Sequence, residues 1–181
     1  DGTNKENTIQ LDYVHPVGKK MKIETGARAV IRDIETDSKY FYKENVGGSD
    51  VFDAGQSNIL TYDQDVMAGY VSTTTDFTQN LGMIAGIRYE HTKIAGKFVG
   101  LENDFANEYD NWLPSITLSQ KINKKNTLKL SYNQRIQRPS LRFINPFRDI
   151  SNNRDITQGS PDLRPELNDQ IELSYNTFIK G

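Results

Sequence analysis

Leu128-Lys129-Leu130-Ser131-Tyr132-Asn133-Gln134-Arg135 opens the stretch that decides the fold. Apolar and polar residues alternate along it, so the two sets project to opposite faces of an extended strand. A long polar excursion follows, from Ile144-Asn145-Pro146-Phe147 through Gly159-Ser160-Pro161-Asp162-Leu163-Arg164-Pro165-Glu166. Alternation then resumes at Gln170-Ile171-Glu172-Leu173-Ser174-Tyr175-Asn176. Two such strands, with tyrosines among their apolar positions and a long loop between them, describe a wall with oil on one side and water on the other. A transmembrane β-barrel has this pattern.

Working outward, the same alternation marks five further strands. Ile9, Leu11 and Tyr13 share a face in the first, which ends at the turn His15-Pro16-Val17-Gly18-Lys19. The second, from Lys20 to about Arg32, sets Met21, Ile23, Thr25, Ala27, Ala29 and Ile31 against Lys22, Glu24, Arg28 and Arg32. The third, Ile59 to about Thr73, sets Leu60, Tyr62, Val66, Ala68 and Tyr70 against Thr61, Asp63, Asp65, Met67 and Gly69, and its apolar set is read as outward. The fourth, Leu81 to about Ile94, carries Leu81, Met83, Ala85, Ile87 and Tyr89 outward; the fifth so carries Trp112, Ile116 and Leu118. Short turns fall near 15–20, 75–80 and 122–126, and long loops at 33–58, 96–110 and 138–165. Alternation of connection length is what an outer-membrane barrel shows, with short periplasmic turns and longer external loops. The expected fold is therefore all-β: an antiparallel up-and-down meander of about seven long strands, a section of a transmembrane barrel.

Composition is compatible with this and narrows the alternatives. The 181 residues are 35% hydrophobic, and no run approaches the ~18 uninterrupted apolar residues of a spanning helix. Barrel strands need only alternate apolar residues, so the polar average does not count against them. A net charge of -2 gives no basic footprint for nucleic acid. The absence of cysteine excludes a disulfide framework and thiolate chemistry.

Tyr132-Asn133-Gln134-Arg135-Ile136-Gln137-Arg138-Pro139, then Asn145-Pro146-Phe147-Arg148, then Pro161-Asp162-Leu163-Arg164-Pro165-Glu166 resemble the barrel of TonB-dependent outer-membrane receptors. The likeness is greatest to the receptor-like barrel family abundant in Bacteroidetes. In that family the loop reads Asn-Pro-x-Leu-Lys-Pro-Glu, where this chain has Ser160 for the Asn and Arg164 for the Lys. The resemblance is dense from about Asn111 to Tyr175, and Gly86-Ile87-Arg88-Tyr89-Glu90 also fits. It implies a bacterial outer-membrane location and import of a nutrient such as a siderophore or a glycan. It also implies a plug domain inside the barrel, through which TonB is engaged. Neither plug nor TonB-contact segment is in these residues, and both ends of the chain read as cut, so residues 1–181 are expected to be a partial barrel domain.

Site residues follow from the same reading. Loop aromatics Tyr40, Phe41, Tyr42, Phe143 and Phe147 are candidates to stack on an imported ligand. Asn145, Pro146, Pro161, Leu163, Pro165 and Glu166 carry the family-like loop motif. Tyr13 and Tyr70 near the turn side, with Tyr89 and Trp112 near the loop side, are candidates for the interfacial aromatic girdles. His15 and His91 lack partners at metal-ligand spacing, Asp63 and Asp65 read as solvated lumen carboxylates, and Gly47-Gly48 as loop punctuation. No cofactor site and no catalytic constellation emerge, so a non-enzymatic protein is expected. The lumen wall would hold Lys22, Glu24, Arg28, Arg32, Asp65, Arg88, Glu90, Lys129, Arg135 and Glu172. The competing class is a soluble sandwich that binds a glycan or a protein, its apolar faces packed sheet on sheet. Taken alone, the chain is expected to hide the face bearing Ile23, Ala68, Ile87, Leu118, Leu130 and Leu173, by closing its sheet or by self-association.

Overall fold

The computed structural model describes residues 1–45, 47–99, 104–152 and 154–178. Seven strands form one antiparallel sheet in the order β1-β2-β3-β4-β5-β6-β9, each paired with its neighbour in the chain. They are β1 (Gly2–Val17), β2 (Met21–Tyr42), β3 (Val51–Asp76), β4 (Leu81–Phe98), β5 (Phe105–Lys121), β6 (Asn126–Gln137) and β9 (Glu166–Thr177). Between β6 and β9 the chain makes one helical turn, α1 (Leu141–Ile144), and a small hairpin, β7 (Asp149–Asn152) with β8 (Asp155–Thr157). Among the described residues no second sheet covers the first face to face, so the sandwich alternative is set aside. No described helix is long and apolar enough to cross a membrane, a criterion that leaves crossing by strands open.

The turns are tight and the other connections are not all long. Gly18 supplies the left-handed conformation (φ 67°) that the first turn needs. Thr78 and Asn123 close the next two, each side chain accepting backbone N–H bonds from residues two and three further on. On the opposite side, two of the expected loops turn out to be strand. The segment expected as a loop over 33–58 is mostly the upper part of β2 and β3, and that over 96–110 shrinks as β4 runs to Phe98 and β5 starts at Phe105. A tilted strand crosses a bilayer in about 9–11 residues, whereas β3 has 26. The hairpins therefore stand well beyond a membrane's thickness. Polar residues persist there because no lipid face requires apolar ones.

Register settles the facing of every strand. Met21, Thr75, Met83, Leu118, Leu130 and Leu173 are successive cross-strand partners on one face. Above that row, the first charged, amide or imidazole side chain comes 12 residues on at Asp33 of β2 and 10 on at Asp65 of β3. It comes 8 on at His91 of β4 and Asp110 of β5, and only 4 on at Gln134 of β6 and Asp169 of β9. The polar border thus cuts obliquely across the paired rows. Strands tilted by 35–45° to a barrel axis produce this slope, because the border follows the membrane plane and the rows do not.

The facing expected for β3 is reversed. Ala29 pairs with Met67 and Thr25 with Val71, so the odd-numbered residues of β3 join the apolar outer face. Leu60, Tyr62, Val66 and Ala68 point to the other face and are buried there. Asp63 and Asp65, expected in the lumen, lie on the outer face above the apolar band, where Asp65 stands opposite Lys93 in the register. The remaining charges of the expected lumen wall do share one face.

Candidate functional site

The long connection from Arg138 to Pro165 does not stand away from the sheet. It folds back across the inner face. Ile144, fully buried at the end of α1, enters a cluster with Tyr62 and Ile94, flanked by Ile34, Phe105 and Leu141. This cluster explains why β3 is apolar on its inner side. Phe105 lies over Gly96 of the neighbouring strand, where a Cβ would sit 2.2 Å from the ring, so any larger residue there would displace the ring.

Polar contacts hold the same loop. At its root Arg138 pairs with Glu90, which also accepts a bond from Arg88 at 2.5 Å and is only 5% exposed. At its middle, the backbone N–H groups of Gly159 and Ser160 donate to the carbonyls of Asn145 and Phe143, each at 2.8 Å. Asn145 Oδ1 accepts from the N–H of Phe147, turning the chain around Pro146, whose carbonyl accepts from Gln158. The Pro161 carbonyl accepts from Asn107 of β5 at 3.4 Å. Near its outer end, the N–H of Ile150 donates to Gln56 of β3 and the Tyr40 hydroxyl reaches Asp149 at 3.5 Å. The motif residues thus fold the loop and dock it.

Three openings result. Beneath the loop lies a recess of about 490 Å³ on the inner wall, reached by Arg28, Arg32, Arg88 and Arg138. Toward the strand tops, a pocket of about 350 Å³ lies between the loop and β2–β3, lined by Tyr40, Asn58, Leu60, Arg142, Asn145 and Phe147. A third cleft of about 380 Å³ has Pro139, Phe143, Leu163 and Glu166 on its walls.

Of the five expected stacking aromatics, Tyr40 and Phe147 meet in one pocket, where Phe147 also stacks on Phe98 with centroids 6.2 Å apart. Phe143 is in the neighbouring cleft and 61% exposed. Phe41 and Tyr42 line neither; Phe41 packs edge-on against Phe52 across the hairpin. Leu163 lines the cleft with Phe143, half-buried Pro165 ends the loop, and Glu166 opens β9 opposite Gln137. The expected girdle residues divide. Tyr13 is on the outer face, stacked on His15, and Tyr89 packs on Trp112 there at 4.9 Å with its hydroxyl on Asp110. Tyr70 is not with them. It lies on the inner face across Gly26 and donates to Asp12 at 2.6 Å, a consequence of the reversed facing of β3.

The arginine recess was not singled out from sequence. Arg28 and Arg32 on one face of β2, and Arg88 on the inner face of β4, are visible in the alternation. That Arg138 joins them follows only from the fold of the loop. Among the described residues, no group of three His, Cys, Asp or Glu could hold a metal ion.

An oblique apolar band outside, a charged wall inside and a loop folded across that wall define a section of a transmembrane β-barrel. The outer membrane protein β-barrel family model matches residues 1–181, and the chain belongs to that family. It is a protein of the bacterial outer membrane, with the lipid bilayer against its apolar face. In three dimensions it is similar to the alcaligin outer membrane receptor FauA from Bordetella pertussis, with a TM-score of 0.63 and 17% sequence identity. That match covers 97% of this chain and 26% of the receptor, so the chain spans about a quarter of its length. No curated protein matches in sequence.

Proposed function

We propose that this chain is one section of the barrel of a receptor that imports a nutrient, such as a siderophore or a glycan, across the outer membrane. The observation that carries the reading is the loop from Arg138 to Pro165. It lies across the inner wall and leaves pockets on both its sides, a geometry suited to capturing a ligand at the mouth of a lumen. Tyr40 and Phe147 are the aromatic pair for that capture in the upper pocket, with Phe143 contributing from the adjacent cleft. Tyr13 on the turn side, with Tyr89 and Trp112 on the loop side, occupy the headgroup zones. The role is one of binding and passage rather than catalysis. In the full-length protein a plug domain fills the lumen and couples it to TonB.

Uptake by cells carrying the full-length protein tests this. Import of the nutrient on which the cells depend is expected to stop when TonB is removed, and to weaken when Tyr40 and Phe147 are both changed to Ala. Import that persists without TonB would overturn the receptor reading.

A further inference from the structure

We infer that the turn-side rim of this barrel section is a binding surface for anionic phospholipid headgroups of the periplasm-facing leaflet. The inference needs only a barrel standing in its membrane and is independent of import. Three turns close the hairpins on this side, at residues 18–20, 77–80 and 122–125. With their flanking residues they hold five lysines (Lys19, Lys20, Lys121, Lys124 and Lys125) and one carboxylate, Asp76. The whole chain has 22 basic and 24 acidic residues, so the remainder keeps 17 basic against 23 acidic. Positive charge is gathered at one end of a chain that is acidic elsewhere.

The depth of the lysines follows from the register. The polar border of the outer face stands at Asp33 on β2, Asp110 on β5 and Gln134 on β6. Lys20 lies 13 residues from Asp33, Lys121 lies 11 from Asp110, and Lys125 lies 9 from Gln134. A tilted strand crosses the hydrocarbon in about 9–11 residues. The lysines therefore sit about one bilayer thickness from that border, in the opposite headgroup zone. Short turns of outer-membrane barrels face the periplasm, which fixes the leaflet. The apolar outer face also runs down to them without a break. Val17 and Met21 form the last pair of the first hairpin, and Leu118 and Leu128 each stand three residues from a lysine of the third.

Backbone bonds hold this rim in shape. The N–H of Asp76 donates to the Lys20 carbonyl at 2.8 Å and that of Lys121 to the Asn80 carbonyl at 2.7 Å, tying each turn to the next. Asn123 Oδ1 accepts from the N–H groups of Lys125 and Asn126 and fixes the tip of the third turn. All five lysines are exposed, and each turn or its edge exposes an apolar side chain as well: Val17, Phe77 or Ile122. Such side chains rest at the edge of the acyl region while the lysine stems carry their ammonium groups to the phosphates. An acidic protein is the other occupant a basic rim would take. Continuity of the lysines with the lipid-facing band favours the bilayer, whose anionic lipids attract basic clusters of this kind.

The purified full-length protein in neutral detergent, incubated with equal amounts of phosphatidylglycerol and phosphatidylcholine, tests this by mass spectrometry of the intact protein with its retained lipids. Phosphatidylglycerol is expected to be retained over phosphatidylcholine by roughly tenfold or more, the scale of two lysines at a charged lipid surface. Changing Lys121, Lys124 and Lys125 together to Gln is expected to cut that preference by roughly fivefold or more, and changing them to Arg to keep it. The matched control changes Lys39, Lys43 and Lys97 to Gln, lysines at the far end of the strands, and is expected to retain the anionic lipid as the parent does. A heat-modifiable gel shift reports folding of each variant, and the comparison of the two lipids on the parent stands whether or not a variant folds. Equal retention of the two lipids by the parent would overturn the inference and leave an acidic protein as the occupant. Folded Gln variants of the turn and of the far end that behave alike would overturn it too.

Discussion

Arg138, at the root of the long loop, is ion-paired with Glu90 in the middle of β4, 48 residues away. Glu90 is buried, holds Arg88 as well, and is the point where the loop is tied to the barrel wall. Removing one partner of a buried pair leaves the other uncompensated, which costs more than the pair contributes. Glu90→Ala is expected to destabilise the folded barrel by about 3 kcal/mol, and Glu90→Gln by less because the amide still accepts a hydrogen bond. Urea unfolding in lipid vesicles reads both. Equal stability of parent and Glu90→Ala would show that the loop is held by its apolar wedge alone.

The facing of the strands is tested by arginine substitution. Arg in place of Leu130 or Val71, both on the outer face, is expected to cost roughly 2–4 kcal/mol where the site lies near the bilayer midplane. Arg in place of Ser131, one residue beyond Leu130, or of Thr74, three beyond Val71, both on the inner face, should be mild because those positions stay wet. Similar costs at Val71 and Thr74 in a vesicle-based unfolding series would return β3 to the opposite facing.

The alternation showed that β3 has two faces, but not which one is inside. Leu60, Tyr62, Val66 and Ala68 form the more apolar set, and lipid is the usual explanation for such a set in a barrel. Here they are apolar because Ile144 and Leu141 of a loop some 80 residues later pack over part of them, a contact of long sequence separation that no local pattern encodes. By contrast β4, β5, β6 and β9 read correctly, since among the described residues no loop packs over their apolar outer sides. The loops were overestimated for a related reason. Asp33, Asp37, Lys39 and Asp53 look like loop residues, yet a ladder that stands above the membrane needs only backbone pairing. Tyr40 and Phe147 stand out singly among the loop aromatics, but their convergence in one pocket, like the arginine recess, is not legible in the sequence because each joins a strand to the folded loop.

Gly159 sits where the loop doubles back. A Cβ built there would lie 2.5 Å from the Phe143 carbonyl oxygen and 2.6 Å from that of Asn145, both backbone atoms that cannot swing aside. Gly159→Ala is therefore expected to break the bonds from residues 159 and 160 and release the loop, while the seven-stranded sheet persists. Limited proteolysis would show new cleavage between 141 and 160 on a barrel that keeps its strand content. Gly55→Ala, whose Cβ would meet only Asp53 Oδ1 at 3.4 Å, is the matched control. Unchanged protease resistance in Gly159→Ala would mean that the loop is fixed elsewhere.

The last expectation concerns the 181-residue chain expressed alone. Its sheet is open: among the described residues β1 and β9 each pair on one side only, leaving two rows of backbone groups free to recruit another chain. Its outer face exposes Ile9 at 70%, Leu11 at 74%, Ile171 at 76% and Leu173 at 68%, an apolar surface suited to lipid or detergent rather than water. At about 25 cal/mol per Å² of apolar area, several such side chains on each strand outweigh the entropy of bringing two copies together. The face at stake carries Ile23, Val71, Ile87, Leu118, Leu130 and Leu173; Ala68 belongs to the inner side and plays no part. Without detergent the chain should self-associate at micromolar concentration and bind little of a dye that reports apolar surface, because the face is covered. With detergent it should be monodisperse with strong β circular dichroism. Light scattering in the two conditions decides it. A dilute monomer in plain buffer, with that face open to water, would show that the outer assignment is wrong.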